Sequence, residues 1–505
     1  MPDKQDSNLT GLSFAEEASL KTLGGAPVWY PLEPNSYSDF GSTVNTVARN
    51  PLNPSRQRKK GTITGVEASG GFNQDMTFSN LTRLLQGFFF ADAREKKTTK
   101  PISGAASIVI TSVAGAAKTY SAAAGLNTFL PKSIVLVSGC TNSANNGLKN
   151  VTTAIATTLT VAEALVDEAA PPAAVKIETV GFGCIAAEAS ISMNGSLVRM
   201  NFVTTNPTTL GLRAGEWMFV GGDAANTYFT NNRGYGRISS IDATYIEFDK
   251  VSWIPQVEAG AGKTIQLYFG SFLQNESDPA LIKRRSYQLE RTLGNDGVGV
   301  QSQYLVGAVP NELTFNFPQE DKVTVDMSFA ACDEEFRNGT VGVKTGTRVA
   351  LVSETAFNTS SDFSRIKLGI ADPLSASVTP LVGFLQDATI TVTNNVSANK
   401  ALGSVGAFEM TAGNFDVGGS VNGYFSMLSA VEAVRANSDA TIDLIICAKN
   451  QGFAFDVPLI TLGNGRLAVA ADQPITIPLE NNAAESKFNN TLSLTVFPYL
   501  PLAAH

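Results

Sequence analysis

The sequence predicts a mainly β protein of several domains in which one strand-and-helix pattern occurs twice. Three observations carry that prediction. Apolar and polar residues alternate with period two between turn signals, as in residues 311–330 (NELTFNFPQEDKVTVDMSFA), where two alternating runs flank PQED and read as a β-hairpin. Helical spacing is rare and clearest at residues 81–90 (LTRLLQGFFF) and 427–436 (MLSAVEAVRA), each directly after a strand-like run. The segments before the two helices also match, GFNQDMTFS at 71–79 and GNFDVGGSVNGYFS at 413–426, so an internal duplication is the simplest account.

In the first copy a long interruption follows the helix, then a strand at 287–293 and the 311–330 hairpin. In the second copy a strand begins at 389–393, the helix follows, then strands at 441–448 and 453–462 and a closing pair, 475–479 and 491–496, expected as a final hairpin. The interruption, residues 101–272, contains its own repeat: SGCTNSANNGLKNVTTAIATTLTV (138–161) aligns with GGDAANTYFTNNRGYGRISSIDATYIEF (221–248). Each has a strand ending in a small residue plus Gly, a polar loop with Asn-Asn and Gly, and two β-rich runs. Asn and Gly supply the positive φ angles of tight β-turns. The expected division is an arm at 1–24, a first domain at 25–102 and 273–345, small β-barrel modules at 103–187 and 188–272, and a second domain at 346–505.

A chain of 505 residues exceeds what one core supports, which agrees with several domains. Charged residues are only 16% of it and the net charge is −8, which argues against a wrapped nucleic acid, because affinity for phosphates comes mainly from Lys and Arg. Cys140, Cys184, Cys332 and Cys447 are far apart with no C-x-x-C pair, so buried reduced thiols are expected and no zinc site is indicated. Residues 1–23 lack a basic patch followed by an apolar core, so cytoplasmic synthesis is expected. No run approaches the roughly 20 apolar residues of a bilayer span, so no membrane insertion is expected.

Chemistry is signalled weakly. The one histidine is His505, which removes the central group of His-based acid–base catalysis and of triads. VEAGAGKT at 257–264 has Val257 where a phosphate loop needs its first Gly, and reads as a turn between strands. GNDGVG at 294–299 has the wrong glycine spacing for a dinucleotide loop. Glu320 and Asp321 sit at the predicted hairpin tip and read as solvated turn residues. No catalytic, cofactor or metal residue is assigned. The sharpest cationic run, RQRKK at 56–60, ends a long polar segment and precedes a strand. It reads as the base of a long hairpin loop, and a loop too long for a compact turn favours a subunit contact.

VWYPLEPNSY at 28–37, the basic loop, GTIT at 61–64, GFNQDMT at 71–77 and the helix at 81–90 resemble the tail tube proteins of siphophages. Residues 388–499, with ATITVTNN, GNFDVGGSVNGYFS, a helix and DVPLITLG, resemble the same family's domain. The resemblance leaves out the N-terminal arm and the inserted modules. It implies a β-sandwich or barrel with a flanking helix, whose inner sheets join those of neighbours into a continuous barrel, six domains to a ring. A duplicated chain then implies homotrimeric, pseudo-hexameric rings stacked into the tube of a virion tail. The same resemblance implies contacts with tape measure, tail-tip and tail terminator proteins, no enzyme activity and no cofactor. DNA would pass through the lumen into the host without specific binding.

Acidic and polar walls would keep DNA from adhering, and Asp75, Glu290, Asp416 and Asp443 are the candidate lumen-facing carboxylates. The loop 34–60, with Arg49, Arg56, Arg58, Lys59 and Lys60, would reach the adjacent ring, and residues 354–374 would be its counterpart in the second half. The arm 1–24 is polar enough to order only on a neighbour. The inserted modules would project outward, since they cannot fit inside a ring that admits duplex DNA. On them Trp217, Tyr228 and Tyr235 suit either sugar stacking or core packing. The alternative reading is a surface-binding protein of the tail tip or fibre, separable by its low copy number. A tail-borne depolymerase ranks third, for want of an internal His.

Overall fold

The computed structural model describes residues 5–49, 52, 57, 59–79, 81–103, 105–295, 297–372 and 375–505. The protein is mainly β, and two units with the same strand connections account for it outside the long insertion. The first unit comprises Thr10–Ser19, Val28–Leu32, Pro34–Val47, Thr62–Asp75, helix α1 (Thr82–Phe89), Tyr287–Asn295, Val300–Phe317, Thr324–Ala331 and Asp333–Arg337. The second comprises Phe363–Ile370, Thr379–Pro380, Leu385–Thr393, Asp416–Tyr424, helix α2 (Ser429–Ala436), Ala440–Ala448, Gln451–Asn464, Thr476–Ala483 and Ser493–Phe497.

Pairing repeats strand for strand. In each unit the first strand pairs with the strand after the helix. The third pairs with the fourth and the fourth with the seventh. The sixth strand, 18 residues in the first unit and 14 in the second, is long enough to serve two layers. Its beginning pairs with the eighth strand and its end with the seventh. Between the layers lies one apolar core that runs through both units, from Leu12 and Phe14 to Leu494 and Val496. The Phe315 and Phe455 rings, 4.8 Å apart, join the units within it. Burial drives this arrangement: strands with one open face, such as Thr324–Ala331, alternate an inward apolar residue with a less buried one, while Ala440–Ala448 and Ser493–Phe497 are buried on both faces.

Both helices stop in the same way. Phe90 (φ 48°) and Asn437 (φ 49°) take the left-handed conformation, and the next residue closes a bond back into the last turn. These are Ala91 N–H to the Gln86 carbonyl (3.2 Å) and Ser438 N–H to the Ala433 carbonyl (3.0 Å). Asn adopts that conformation readily. Phe does not, and Phe90 is held there by burial beside Val309 and Cys332.

The insertion folds as one twelve-stranded sheet made of two six-stranded halves. The first half comprises Ile110–Ala114, Thr119–Ala122, Ser133–Ser138, Gly147–Ile155, Thr158–Val161 and Lys176–Gly183. The second comprises Ala189–Asn194, Leu197–Phe202, Trp217–Val220, Gly234–Ile241, Tyr245–Val251 and Gln266–Tyr268. Strand order across the sheet is the same in both halves. The expected separate barrels do not form. Lys176–Gly183 uses one edge for Ser133–Ser138 and the other for Gln266–Tyr268, so it has no edge left to close its own module.

Three further expectations are corrected. Within the expected arm 1–24, residues 10–19 are part of the first unit's sheet. Thr10–Ser19 is the first strand of the first unit and buries Leu12, Phe14 and Ala15, an alternation masked by the polar residues around it. The closing pair is not a hairpin, because Thr476–Ala483 and Ser493–Phe497 attach to different stretches of Gln451–Asn464. Of the expected loop 34–60, residues 34–47 are the strand Pro34–Val47, and the link between the third and fourth strands of the second unit is 394–415, not 354–374. Phe363–Ile370 instead occupies the place that Thr10–Ser19 holds in the first unit.

A cation-free sheet face as the candidate functional site

One layer of each unit joins the other into a continuous eight-stranded sheet. Its order is Pro34–Val47, Thr62–Asp75, Thr324–Ala331, residues 309–317, Leu385–Thr393, Asp416–Tyr424, Thr476–Ala483 and residues 460–464. The units meet where Glu312–Thr393, Thr314–Thr391 and Asn316–Thr389 face each other in an antiparallel ladder.

The side turned from the core carries two long polar rows. One registered row crosses all eight strands as Ser36, Asn73, Asp326, Thr314, Thr391, Gly418, Asn482 and Thr461. A second runs Asp75, Thr324, Asn316, Thr389, Ser420, Glu480 and Gly463. Side chains bond along and between the rows. Asp326 accepts from Asn73 Nδ2 (2.8 Å) and Asn316 Nδ2 (2.6 Å), and the Thr314 and Thr391 hydroxyls lie 3.1 Å apart. The core side of the same strands carries Phe72, Met327, Leu313, Val392 and Val417.

Its charge is one-sided. The eight strands contain no Lys or Arg, yet Glu67, Asp75, Glu312, Asp326, Asp387, Asp416 and Glu480 stand on the polar side. Lysines reach two of them from flanking turns: Lys322 to Asp75 at 2.8 Å and Lys400 to Glu67 at 2.7 Å. The Lys400 ammonium, as hydrogen-bond donor and as charge, holds the exposed Glu67 carboxyl below its ordinary range.

Of the sequence candidates, Asp75 and Asp416 lie on this face, where Asp416 is exposed and accepts from Asn395 Nδ2 at 2.7 Å. Glu290 and Asp443 lie in the other layer, buried and turned away from the core. Arg348 forks onto Glu290 at 2.7 and 2.8 Å. Asp443 bonds to Arg365 and lies 3.5 Å from Lys250. Burial acts to raise the Asp443 pKa, and Arg365 and Lys250 outweigh it and hold the carboxyl down. Arg49, Lys59 and Lys60 are exposed, while Arg56 and Arg58 lie outside the described residues.

The insertion packs on the far side of that second layer. Trp217, Tyr235 and Phe219 meet Ile445, Cys447, Ala454 and Phe497 there. Trp217 and Tyr235 are therefore core, and Tyr228 lies under the Arg233 guanidinium at 4.0 Å. A charge network seals the contact. Arg237 bridges Asp249 (2.8 Å) and Asp456 (2.9 Å), and Lys250 lies 3.5 and 3.6 Å from Asp443 and Asp456. From polar face outward the order is thus acidic sheet, core, second layer, insertion.

Sequence reasoning missed Glu67, Glu312, Asp326, Asp387 and Glu480. The absence of Lys and Arg from eight separate strands was the signal available for them. It also missed how each insertion module is pinned. Asn145, fully buried, donates to the Val166 carbonyl and to Glu168 (both 3.0 Å) and accepts from Val166 N–H. Asn232, equally buried, repeats this with Gln256 and Glu258. Among the described residues no three His, Cys, Asp or Glu side chains gather as for a metal, and no helix is long and apolar enough to cross a membrane.

No curated protein matches the sequence. The family model described as phage tail tube protein matches residues 7–483, which takes in both units and the insertion, and the chain therefore belongs to the phage tail tube protein family.

Proposed function

We propose that three copies join edge to edge into a ring of six units, and that stacked rings form the tail tube through which DNA is ejected. The carrying observation is the junction inside the chain. Residues 312–317 pair with the first strand of the following unit's polar layer. By strand equivalence, 463–468 of one copy repeats that contact with 37–43 of the next, setting Gly463 opposite Thr43 of the neighbouring copy. Both edges are open in the single chain, which is a hazard in a monomer and a template in an assembly. The polar rows then line the lumen, where fixed carboxylates repel phosphates and keep the duplex from adhering. The insertion, on the opposite side of the wall, forms external knobs. The equal strand order of the two units supports a duplication, and the same sheet ends offer docking surfaces for tail-tip, terminator and tape measure proteins.

Electron microscopy of the concentrated protein tests this. Hollow tubes with three external knobs per ring are expected, and tubes assembled from Glu312→Lys/Asp326→Lys protein should retain duplex DNA that wild-type tubes release. Isolated trimers without tubes, or reversed-charge tubes that release DNA like wild type, would overturn the reading.

A further inference from the structure

The junction inside the chain and the open edges that would repeat it differ in chemistry. Inside the chain, the rings of Phe315 and Phe317, at the end of the first unit's sixth strand, lie 4.8 and 5.6 Å from that of Phe455, and Phe317 lies 5.8 Å from Phe363. In the equivalence that sets 463–468 on 312–317, Arg466 and Ala468 take the places of Phe315 and Phe317. The receiving side changes with them. In the second unit Phe455 pairs with Leu444 and Leu494; in the first, Gln303 pairs with Arg291 and Phe336. Leu494 is fully buried, whereas Phe336 is 70% exposed.

An unmatched charge marks each open edge. Arg466 is exposed on one and Asp39 on the other, and among the described residues neither side chain has an ion pair or a hydrogen bond. Asp39 stands in a bulge, where it and Phe40 together oppose Gly70; its φ is 46°, and it is exposed while Phe40 is buried. The register that sets Gly463 opposite Thr43 brings Arg466 opposite this bulge. Other charges nearby are engaged or lie outside the ladder. Arg291, 4.5 Å from the Phe40 ring, donates to Gln303 Oε1 (2.9 Å), Glu334 accepts from Ser42 and Gln303, and Asp472 is in the turn past the last paired position.

We propose that Arg466 of one copy pairs with Asp39 of the next copy of this chain, and that this pair selects which edges meet when the ring closes. This rests on the tube reading above and adds to it the contact that chooses the partner edge. Two first-unit edges brought together would oppose carboxylates, and two second-unit edges would oppose guanidinium groups. Only a second-unit edge on a first-unit edge matches both charges. In the free chain the same charges guard each open strand against indiscriminate pairing. The inner junction needs no such selection, because residues 338–362 already tie its two sides together, and it is aromatic.

Arg466→Asp should raise the concentration needed for tube assembly about tenfold. Asp39→Asn, which removes the charge and keeps a residue that tolerates left-handed backbone, should raise it about threefold. Arg466→Asp/Asp39→Arg protein should assemble near the wild-type concentration. Single variants that assemble like wild type, or an exchange that leaves the Arg466→Asp defect in place, would overturn the pairing and leave the two charges as guards of the free chain's edges alone. Arg466→Cys/Asp39→Cys protein, concentrated and oxidised, should form disulfides between copies, which are readable because the four native cysteines are buried. Monomer alone on a non-reducing gel also overturns it. Wild-type tubes in which these charges are dispensable would sink the pairing only, whereas wild-type protein that forms no tubes would sink the tube reading itself.

Discussion

Asp443 and Asp456 stand directly opposite each other on neighbouring strands, and neither has exposed surface. Like charges so placed repel, and burial adds a desolvation cost to each. Lys250, from the insertion, lies within 3.6 Å of both, while Arg365 and Arg237 each take one.

Removing the shared cation is therefore expected to cost more than a surface ion pair. Lys250→Met should lower unfolding stability by about 3–5 kcal/mol in denaturant titrations, since it strands two buried carboxylates. Lys250→Met combined with Asp443→Leu should recover part of the loss. A single-mutant cost below about 1 kcal/mol, the level of an exposed pair, would refute the shared role.

Acid should loosen the insertion. Burial pushes the Asp249 carboxyl up, but Arg237 outweighs it and holds it at about 2, against 3.8 unperturbed. Glu188 is likewise held at about 2, against burial, by the Thr205 and Thr204 hydroxyls, Lys132 and the Ile185 N–H. A folded pKa below the unfolded one gives stability that is complete above the unfolded pKa and disappears as pH falls through the folded one. For Asp249 that is ~2.5 kcal/mol. Fluorescence of Trp217 and Trp253 should report loss of packing between pH 4.5 and 2; a signal flat across that window would contradict the assignment.

The two pinning asparagines should matter equally. Asn145→Ala and Asn232→Ala each leave buried backbone groups without partners, an expected cost of about 2–3 kcal/mol confined to one module. Asn231→Ala, at an exposed neighbour, is the control. Hydrogen exchange resolves the effect by module, and equal behaviour of Asn231 and Asn232 variants would remove the distinction.

Much of the fold was legible because period-two alternation and turn residues are local. The hairpin read at 311–330 appears as Val300–Phe317 with Thr324–Ala331, and both helices lie within two residues of where spacing put them. Pairing was less legible. Val300–Phe317 looks like one strand of one hairpin, and only length and register show that it serves two layers. The site was half legible for the same reason. Asp75 and Glu290 are both acidic residues on strands, and sequence does not say which layer a strand joins. Thr10–Ser19 was hidden by polar neighbours, although Leu12 and Phe14 carry the inward alternation.

The insertion leaves the first unit after α1, yet rests on Ser493–Phe497 at the far end of the chain, where Trp217 N–H donates to the Thr495 hydroxyl and Ser271–Gln274 pairs with that last strand. During synthesis the first unit cannot regain its remaining strands until the insertion is made, and the insertion's seat, which includes Ile445, Cys447, Ala454 and Phe497, is incomplete until Ser493–Phe497 has been made. Long-range closure of this kind is slow. It also makes completion a condition of folding: a chain that stops before Ser493–Phe497 lacks the strand against which Ser271–Gln274 and the insertion pack.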